Sequence, residues 1–148
     1  MTIGLTEAKA LIAAAQAKAV EAGRPITVVV VDTGGFSVAS ERMDGARPLT
    51  PSIAIAKAYT AAIMQRPSHM LKGWCKSQPE FFAQVSRMGH QPIVATDGGL
   101  TIKKNGEILG GLGIAGGTGE EDQLIAVEAL RACAYDLEFA EWNPVQHR

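Results

Sequence analysis

The sequence is poor in aromatic residues, in cysteine and in excess charge of either sign. Aromatic residues make up 5% of the 148 residues, too few for the stacking platforms on which proteins bind single-stranded nucleic acid. The formal net charge is −1, so no basic field favours a nucleic-acid partner. Cys75 and Cys133 lack metal-site spacing, and we expect ordinary thiols in a reducing compartment.

Long apolar runs are also missing. No stretch approaches the length of a transmembrane helix, and the N-terminus has neither the charged region nor the cleavage site of a secretory signal. We therefore expect a cytoplasmic protein without a membrane partner. The length predicts a single domain over residues 1–148, which is large enough to bury a core built from Ala, Val, Ile and Leu.

The most informative stretch covers residues 98–122, which read as strand, turn, strand, glycine-rich turn and helix start. Asn105-Gly106 stands between two alternating apolar runs, and this pair favours the two-residue turn of a β-hairpin. Three glycines then interrupt the second strand: Gly110, Gly111 and Gly113. Because glycine weakens a strand, we expect something to approach this backbone closely, either a helix, another subunit or a ligand.

The glycine-rich turn at 116–119 leads into a well-marked helix start. Thr118 and Glu121 have the spacing of a capping box. Acidic residues suit the positive end of a helix, whereas three of them at 120–122, with no P-loop lysine, disfavour a phosphate ligand. The local pattern therefore predicts a capped helix, which we extend from residue 120 to about residue 139.

The remaining elements follow from periodicity. An amphipathic helix is predicted over residues 6–22, with Thr6 as its N-cap and Gly23 as its stop. A hairpin is predicted over 26–42. The Thr50-Pro51 pair predicts a capping hydroxyl and a first-turn proline for a helix over about 51–65. That helix is apolar nearly all round, which is typical of a buried helix.

The segment 68–90 is less regular. We predict one or two short helices broken at Pro79, with Trp74, Phe81 and Phe82 as packing anchors, and then a short strand at 93–95. The polar segment 141–148 is predicted to lie at the surface or in an interface. Together these elements predict an α/β (α+β) fold, an antiparallel sheet of about five strands with helices packed on its faces.

Taken together, these motifs resemble those of a known family, the GlcG/HbpS-like proteins. The family is also called haem-degrading or haem-binding and includes the C-terminal domain of PduO-type proteins. The matching pieces, in order, are VVVVDTGG in the first hairpin, RMDGA at 42–46, IAIAKAYTAA at 53–62, GGLTI at 98–102 and NGEILGGLGIAGGTGEEDQ at 105–123. The resemblance implies a profilin-like fold, homo-oligomers from tetramer to octamer, and haem or another tetrapyrrole as the ligand of some members. The segment KGWCKSQPEFFAQVSRMGHQP replaces the family's usual loop, which predicts an altered ligand specificity.

The family motifs predict one shared pocket with a polar rim. Its ligand-binding positions are expected to be Arg42, Asp44, Gly98, Gly99, Gly116, Gly117 and Asp122. In one interpretation Arg42 and Lys57 hold a ligand carboxylate, which the planar fork of arginine suits well. In the other, Lys57 forms an internal ion pair with Asp122 or Glu121.

The chemistry at such a pocket admits two hypotheses. In the first, the protein binds haem, with haem degradation as an open alternative, and His69 or His90 is the available nitrogen ligand, with His69 taken as the metal ligand. In the second, the protein is an enzyme that carries out acid–base chemistry on a small carboxylated or aromatic-derived metabolite, with Lys57, His90 and Glu121 as proton carriers. No clustered His and Cys pattern predicts a closed zinc site.

Overall fold

The structure is a computed structural model that describes residues 1–137. In chain order its elements are α1 (Leu5–Ala22), β1 (Thr27–Val31), β2 (Ser37–Arg42), α2 (Thr50–Ile63), a 3-10 helix (Ser68–Leu71), α3 (Lys72–Ser77), α4 (Pro79–Val85), β3 (Gly99–Lys104), β4 (Glu107–Ala115) and α5 (Gly119–Ala132). None of the helices within residues 1–137 combines the length and the apolarity needed to cross a bilayer.

The strands form one antiparallel sheet in the order β2-β1-β4-β3. Central β1 pairs with both neighbours, so that Thr27 lies opposite Arg42 on one side and Ala115 on the other. The predicted fold class is confirmed, with four strands rather than about five. The expected strand at 93–95 does not form, because Ile93 instead exchanges hydrogen bonds with Ser86 in the preceding loop.

Helices cover both faces of the sheet. On one face α1 and α5 pack against alternate residues of the strands, in a core that includes Leu11, Ile12, Val28, Val30, Leu112, Ile114, Ile125 and Leu130. On the other face α2 packs its small residues Ala54, Ala58 and Ala62 against Val29 and Val31. Because β1 is covered on both faces, all five of its residues are buried, as its continuous β-branched run predicted.

The contact between α2 and β4 is unusually close, and we call it the glycine seam: Gly111 and Gly113 of β4 against Ala54 and Ala58 of α2. A Cβ atom built on Gly113 would lie 2.0 Å from the Ala54 carbonyl oxygen, and one on Gly111 would lie 2.2 Å from that of Ala58. Only glycine permits such an approach of two backbones. The sequence left open whether a helix, another subunit or a ligand approaches this strand, and the structure shows a helix.

A third layer covers the outer side of α2, and we call residues 67–95 the outer layer. Its buried centre consists of Leu71, Phe82 and Ile93, which pack against Tyr59 of α2. Trp74 meets the Phe82 ring edge-on, with 5.0 Å between the ring centroids. The predicted break at Pro79 is confirmed, since α3 ends at Ser77 and α4 begins at Pro79.

Two of the predicted N-caps are wrong. The N-cap of α1 is Gly4 rather than Thr6, and the Glu7 carboxylate accepts a hydrogen bond of 3.0 Å from the Gly4 amide. The Thr50 hydroxyl does not cap α2. It donates to the Arg47 carbonyl oxygen at 2.7 Å and lies 2.8 Å from the Thr27 hydroxyl, so it ties the helix start to β1.

At the C-terminal ends of the helices, one prediction is confirmed and one is wrong. Gly23 ends α1 in the left-handed conformation with φ of 71°, as predicted. The last helix is shorter than predicted and stops at Ala132. Ala134 has φ of 61°, and the Tyr135 amide donates to the Leu130 carbonyl oxygen, which is the hydrogen bond of a Schellman-type helix end. Residues 138–148, which include the predicted surface segment at 141–148, lie outside the described residues.

Candidate ligand cleft

A cavity of about 320 Å³ lies where the first half of α2, the end of β4 and the start of α5 meet. Its lining residues are Arg47, Leu49, Thr50, Ile53, Lys57, Thr96, Ala115, Gly116, Gly117, Gly119 and Asp122. We call this cavity the cleft. The glycine seam leads directly into it, because Ala115 ends β4 and the glycine-rich turn follows. The cleft volume falls at the small end of the range of ligand sites.

The open side of the cleft combines apolar surface with a cation. Leu49 is 64% exposed and Ile53 is 38% exposed, although both are large apolar residues. Arg47 lies beside them, and its guanidinium forms no ion pair within residues 1–137. An arginine without an acidic partner at an apolar opening is suited to hold a carboxylate.

The floor of the cleft is a buried ion pair between α2 and α5. The Lys57 Nζ atom donates to Asp122 Oδ2 at 3.0 Å and to the Ile114 carbonyl oxygen at 2.8 Å. The two residues are 4% and 3% exposed. Asp122 Oδ1 accepts a hydrogen bond of 2.8 Å from the Gly117 amide. The pair therefore joins α2, β4, the glycine-rich turn and α5, and it is the Asp122 alternative of the internal ion pair considered from sequence.

The second predicted acid at the helix start points elsewhere. The Thr118 and Glu121 side chains form the expected capping box. Glu121 also accepts a hydrogen bond of 2.9 Å from Arg24 Nε. The backbone amide of Thr118 and then the Arg24 side chain hold the pKa of Glu121 below its ordinary value. Glu121 is thus an ionised cap whose partner is Arg24, not Lys57.

The structure brings together only some of the predicted site residues. Lys57, Gly116, Gly117 and Asp122 line the cleft. Gly98 and Gly99 are not among the lining residues. Gly99 packs against the Lys57 backbone of α2, and Gly98 packs against the Ile114 carbonyl oxygen and the Lys57–Asp122 pair of the floor. Arg42 and Asp44 are exposed and lie outside the lining.

Neither predicted histidine lines the cleft. His90 stacks on Phe36 with 4.2 Å between ring centroids, meets Tyr59 edge-on, and has its Nε2 atom 3.2 Å from the Gly34 carbonyl oxygen. His69 Nδ1 lies 3.4 Å from the Gln123 side-chain amide. Lys57, His90 and Glu121 therefore do not form one catalytic group in this chain. Within residues 1–137, no set of three or more His, Cys, Asp and Glu side chains is placed to hold a metal ion.

Sequence reasoning missed Arg47. The RMDGA motif drew attention to Arg42, which ends β2 opposite Thr27. Arg47 lies three residues before the start of α2, and its carbonyl oxygen accepts hydrogen bonds from the Thr50 amide and hydroxyl. The available signal was a cation just before the N-terminus of a buried helix.

These features define a class of protein: a small profilin-like domain with an amphipathic cleft between one helix and the end of its sheet. The chain belongs to the HbpS-like family, because residues 3–131 match the family model described as haem degrading protein HbpS-like. The family resemblance found in the motifs is thereby confirmed.

Individual relatives agree with this assignment. An uncharacterized 15.0 kDa protein from the dhaT-dhaS intergenic region of Citrobacter freundii is 36% identical over 129 residues, which cover 87% of this chain and 90% of that protein. The corrinoid adenosyltransferase PduO of the same organism is 32% identical over 132 residues, but the match spans only 39% of its length. The crystal structure of a PduOC:haem complex superposes with a TM-score of 0.83 at 28% identity, covering 92% of this chain and 98% of that one.

Proposed function

We propose that this chain is a haem-binding, homo-oligomeric protein of the HbpS type, and that the cleft holds one edge of the haem. Family membership supports the ligand class, as does the similarity to a domain that was crystallised with haem. The observation that carries the proposal is the composition of the cleft opening, in which Arg47 stands beside exposed Leu49 and Ile53.

The residues present fit a tetrapyrrole in two respects. Leu49 and Ile53 offer apolar surface to the macrocycle, and Arg47 offers a fork of donors to a propionate. The cavity of about 320 Å³ has room for an edge of a porphyrin rather than for the whole ring. When bound, haem supplies the iron-centred redox chemistry that haem degradation requires. The chain's own part is to hold a propionate and to shield one edge of the ring from water.

Among residues 1–137, the lining contains no His, Cys, Met or Tyr, which are the usual iron ligands of haem proteins. If haem is bound, an iron ligand would come from outside this lining, and we assign that role to His69. It lies beside Gln123, the residue that follows Asp122 of the cleft floor. His90 is the less suitable histidine, because its ring is stacked on Phe36.

Haemin titration of the purified protein tests the proposal. We expect a saturable shift of the Soret band with Arg47 as anchor, so that Arg47→Gln weakens haem affinity about tenfold, as expected when one charged hydrogen-bonding partner is lost. Arg87→Gln, an exposed arginine in the outer layer, is the matched control and should titrate like the wild type. A featureless, non-saturating titration of the wild type would overturn the proposal.

Three further measurements address iron ligation, assembly and degradation. His69→Ala should alter the Soret position, whereas His90→Ala should not; the reverse pattern would exclude His69. Light scattering coupled to size exclusion should give a mass between a tetramer and an octamer, and a monomer would exclude the oligomer. Loss of the Soret band with a reductant and oxygen, with release of iron, would identify degradation.

A further inference from the structure

The cleft also has features that suit a much smaller ligand, and the first is its charge. The side chains that line it include two cations, Arg47 and Lys57, and one anion, Asp122. Lys57 and Asp122 neutralise each other as a buried pair, and Arg47 has no acidic partner within residues 1–137, so its charge is left over. A cleft with a net charge of +1 is complementary to a monoanion.

The second feature is a hydrogen-bond donor in the floor. An ammonium group has three N–H donors, and those of Lys57 that are accounted for go to Asp122 and to the Ile114 carbonyl oxygen. Lys57 also lines the cleft, and within residues 1–137 its ammonium has no third acceptor, which leaves one N–H for a ligand oxygen. The Asp122 carboxylate beside it disfavours a second anion at this point and favours a neutral carbonyl or hydroxyl oxygen.

The third feature is the separation of these two groups along α2. Arg47 is hydrogen-bonded to Thr50 at the start of the helix, and Lys57 follows Thr50 by seven residues, which correspond to about 10 Å of helix rise. Ile53 lies between them in the lining, where it can contact a short hydrocarbon chain.

We infer that the cleft binds short monocarboxylates that carry a neutral oxygen several carbons from the carboxylate. The carboxylate lies on the Arg47 guanidinium, the carbonyl or hydroxyl oxygen accepts a hydrogen bond from Lys57, and the carbons between them lie along Ile53. This site goes beyond the haem proposal, because it requires no iron and uses the floor of the cleft rather than its opening alone.

Calorimetric titration of the haem-free protein with matched small acids tests the inference. The probes are pyruvate, 4-oxopentanoate and 6-oxoheptanoate, which differ in the distance between carboxylate and ketone. We expect one of these three oxo acids to bind more tightly than the other two, because its carboxylate and ketone match the spacing of Arg47 and Lys57. Pentanoate, which lacks the ketone, should bind about tenfold more weakly than 4-oxopentanoate, and 2-pentanone, which lacks the carboxylate, should not bind. Glutarate, a dianion, should bind more weakly than 4-oxopentanoate.

Variants separate specific binding from general attraction to the protein. Arg47→Gln should weaken 4-oxopentanoate binding tenfold or more, whereas Arg87→Gln should leave it unchanged. Absence of binding by all three oxo acids, or equal affinities in wild type and Arg47→Gln, would overturn the inference. Equal affinities for 4-oxopentanoate and pentanoate would show that Lys57 does not donate a hydrogen bond to the ketone oxygen. Haem is left out of every titration, so a failure to bind acids can be distinguished from a failure to bind haem.

Discussion

The two sides of α2 are packed by opposite means. Toward the sheet, the glycine seam brings helix and strand into backbone contact, with no side chain on Gly111 or Gly113. Away from the sheet, the outer layer fills space with large rings and aliphatic groups around Tyr59 and Phe82. The seam is intolerant of any added atom, whereas the outer layer depends on the bulk it contains.

This difference bears on the cleft, because the cleft is built at the end of the seam. Its floor is the Lys57–Asp122 pair, and its wall is the glycine-rich turn that continues β4. Thr96, which follows the outer layer, also lines the cleft, and its carbonyl oxygen accepts a hydrogen bond from the Ser68 hydroxyl of the outer layer. The close packing on the sheet side of α2 therefore holds most of the groups that line the cleft.

The same substitution in the two regions should have opposite effects, and this comparison carries the largest expected change. Gly113→Ala places a Cβ 2.0 Å from the Ala54 carbonyl oxygen and 2.7 Å from the Ala58 amide. We expect a loss of about 5 kcal/mol or failure to fold. Gly73→Ala in α3 meets no atom within 4 Å and should stabilise by about 0.5–1 kcal/mol. Chemical denaturation measures both, and equal effects would refute the contrast.

Removing the cation of the buried pair should be the next most damaging change. Lys57→Met leaves the Asp122 carboxylate buried without its partner, at an expected cost of about 3–4 kcal/mol. The double variant Lys57→Met/Asp122→Leu should recover part of this loss. Recovery is incomplete because Asp122 also accepts from the Gly117 amide. A double variant less stable than Lys57→Met would show that the pair is not the cause.

A large-to-small change in the outer layer should have a moderate and local effect. Phe82 is 8% exposed, and Phe82→Ala should cost about 1–3 kcal/mol, less than for a central core residue. Hydrogen exchange should accelerate in residues 67–95 and remain slow in β1 and β4. Acceleration across the whole sheet would mean that the outer layer and the seam unfold as one unit.

The smallest expected effect concerns the cap of α5 and depends on pH. The pKa of Glu121 is lowered in the folded protein, so its contribution is present above the ordinary value of 4.5 and is lost as pH falls through the folded pKa. Glu121→Gln keeps a capping side chain but removes the charge. The variant should therefore be less stable than wild type at pH 7 and should approach it below pH 4.5. Glu120→Gln is the control. A stability difference between wild type and Glu121→Gln that grows as the pH falls would contradict this prediction.

Local signals predicted much of the fold. Asn105 and Gly106 have φ of 50° and 81°, which is the left-handed turn that this pair favours. The glycines of β4 predicted a close neighbour, and the capping box placed the start of α5 within a residue. Each of these signals is contained in a few adjacent residues, so sequence alone can carry it.

The errors arise where distant residues compete for a group. The Thr50 hydroxyl pairs with Thr27 of β1 rather than with its own helix. Ile93 bonds back to Ser86, and the Val94 amide donates to the Thr60 hydroxyl of α2, so this segment does not join the sheet. Arg47 lines the cleft beside Gly117 and Asp122, which are distant in the sequence, and a cation before the helix start was a weak signal of this. Of the predicted site residues, those that line the cleft are Lys57, Gly116, Gly117 and Asp122.

The seam has a consequence for genetics. The atoms that a Cβ on Gly111 or Gly113 would strike all belong to the backbone of α2, so no change of side chain at a single second site can make room. At Gly89 the obstacle is the Tyr59 side chain, so a smaller residue at 59 can act as an intragenic suppressor there. A suppressor screen should thus recover revertants of Gly89→Ala readily, and those of Gly113→Ala only as true back-mutations.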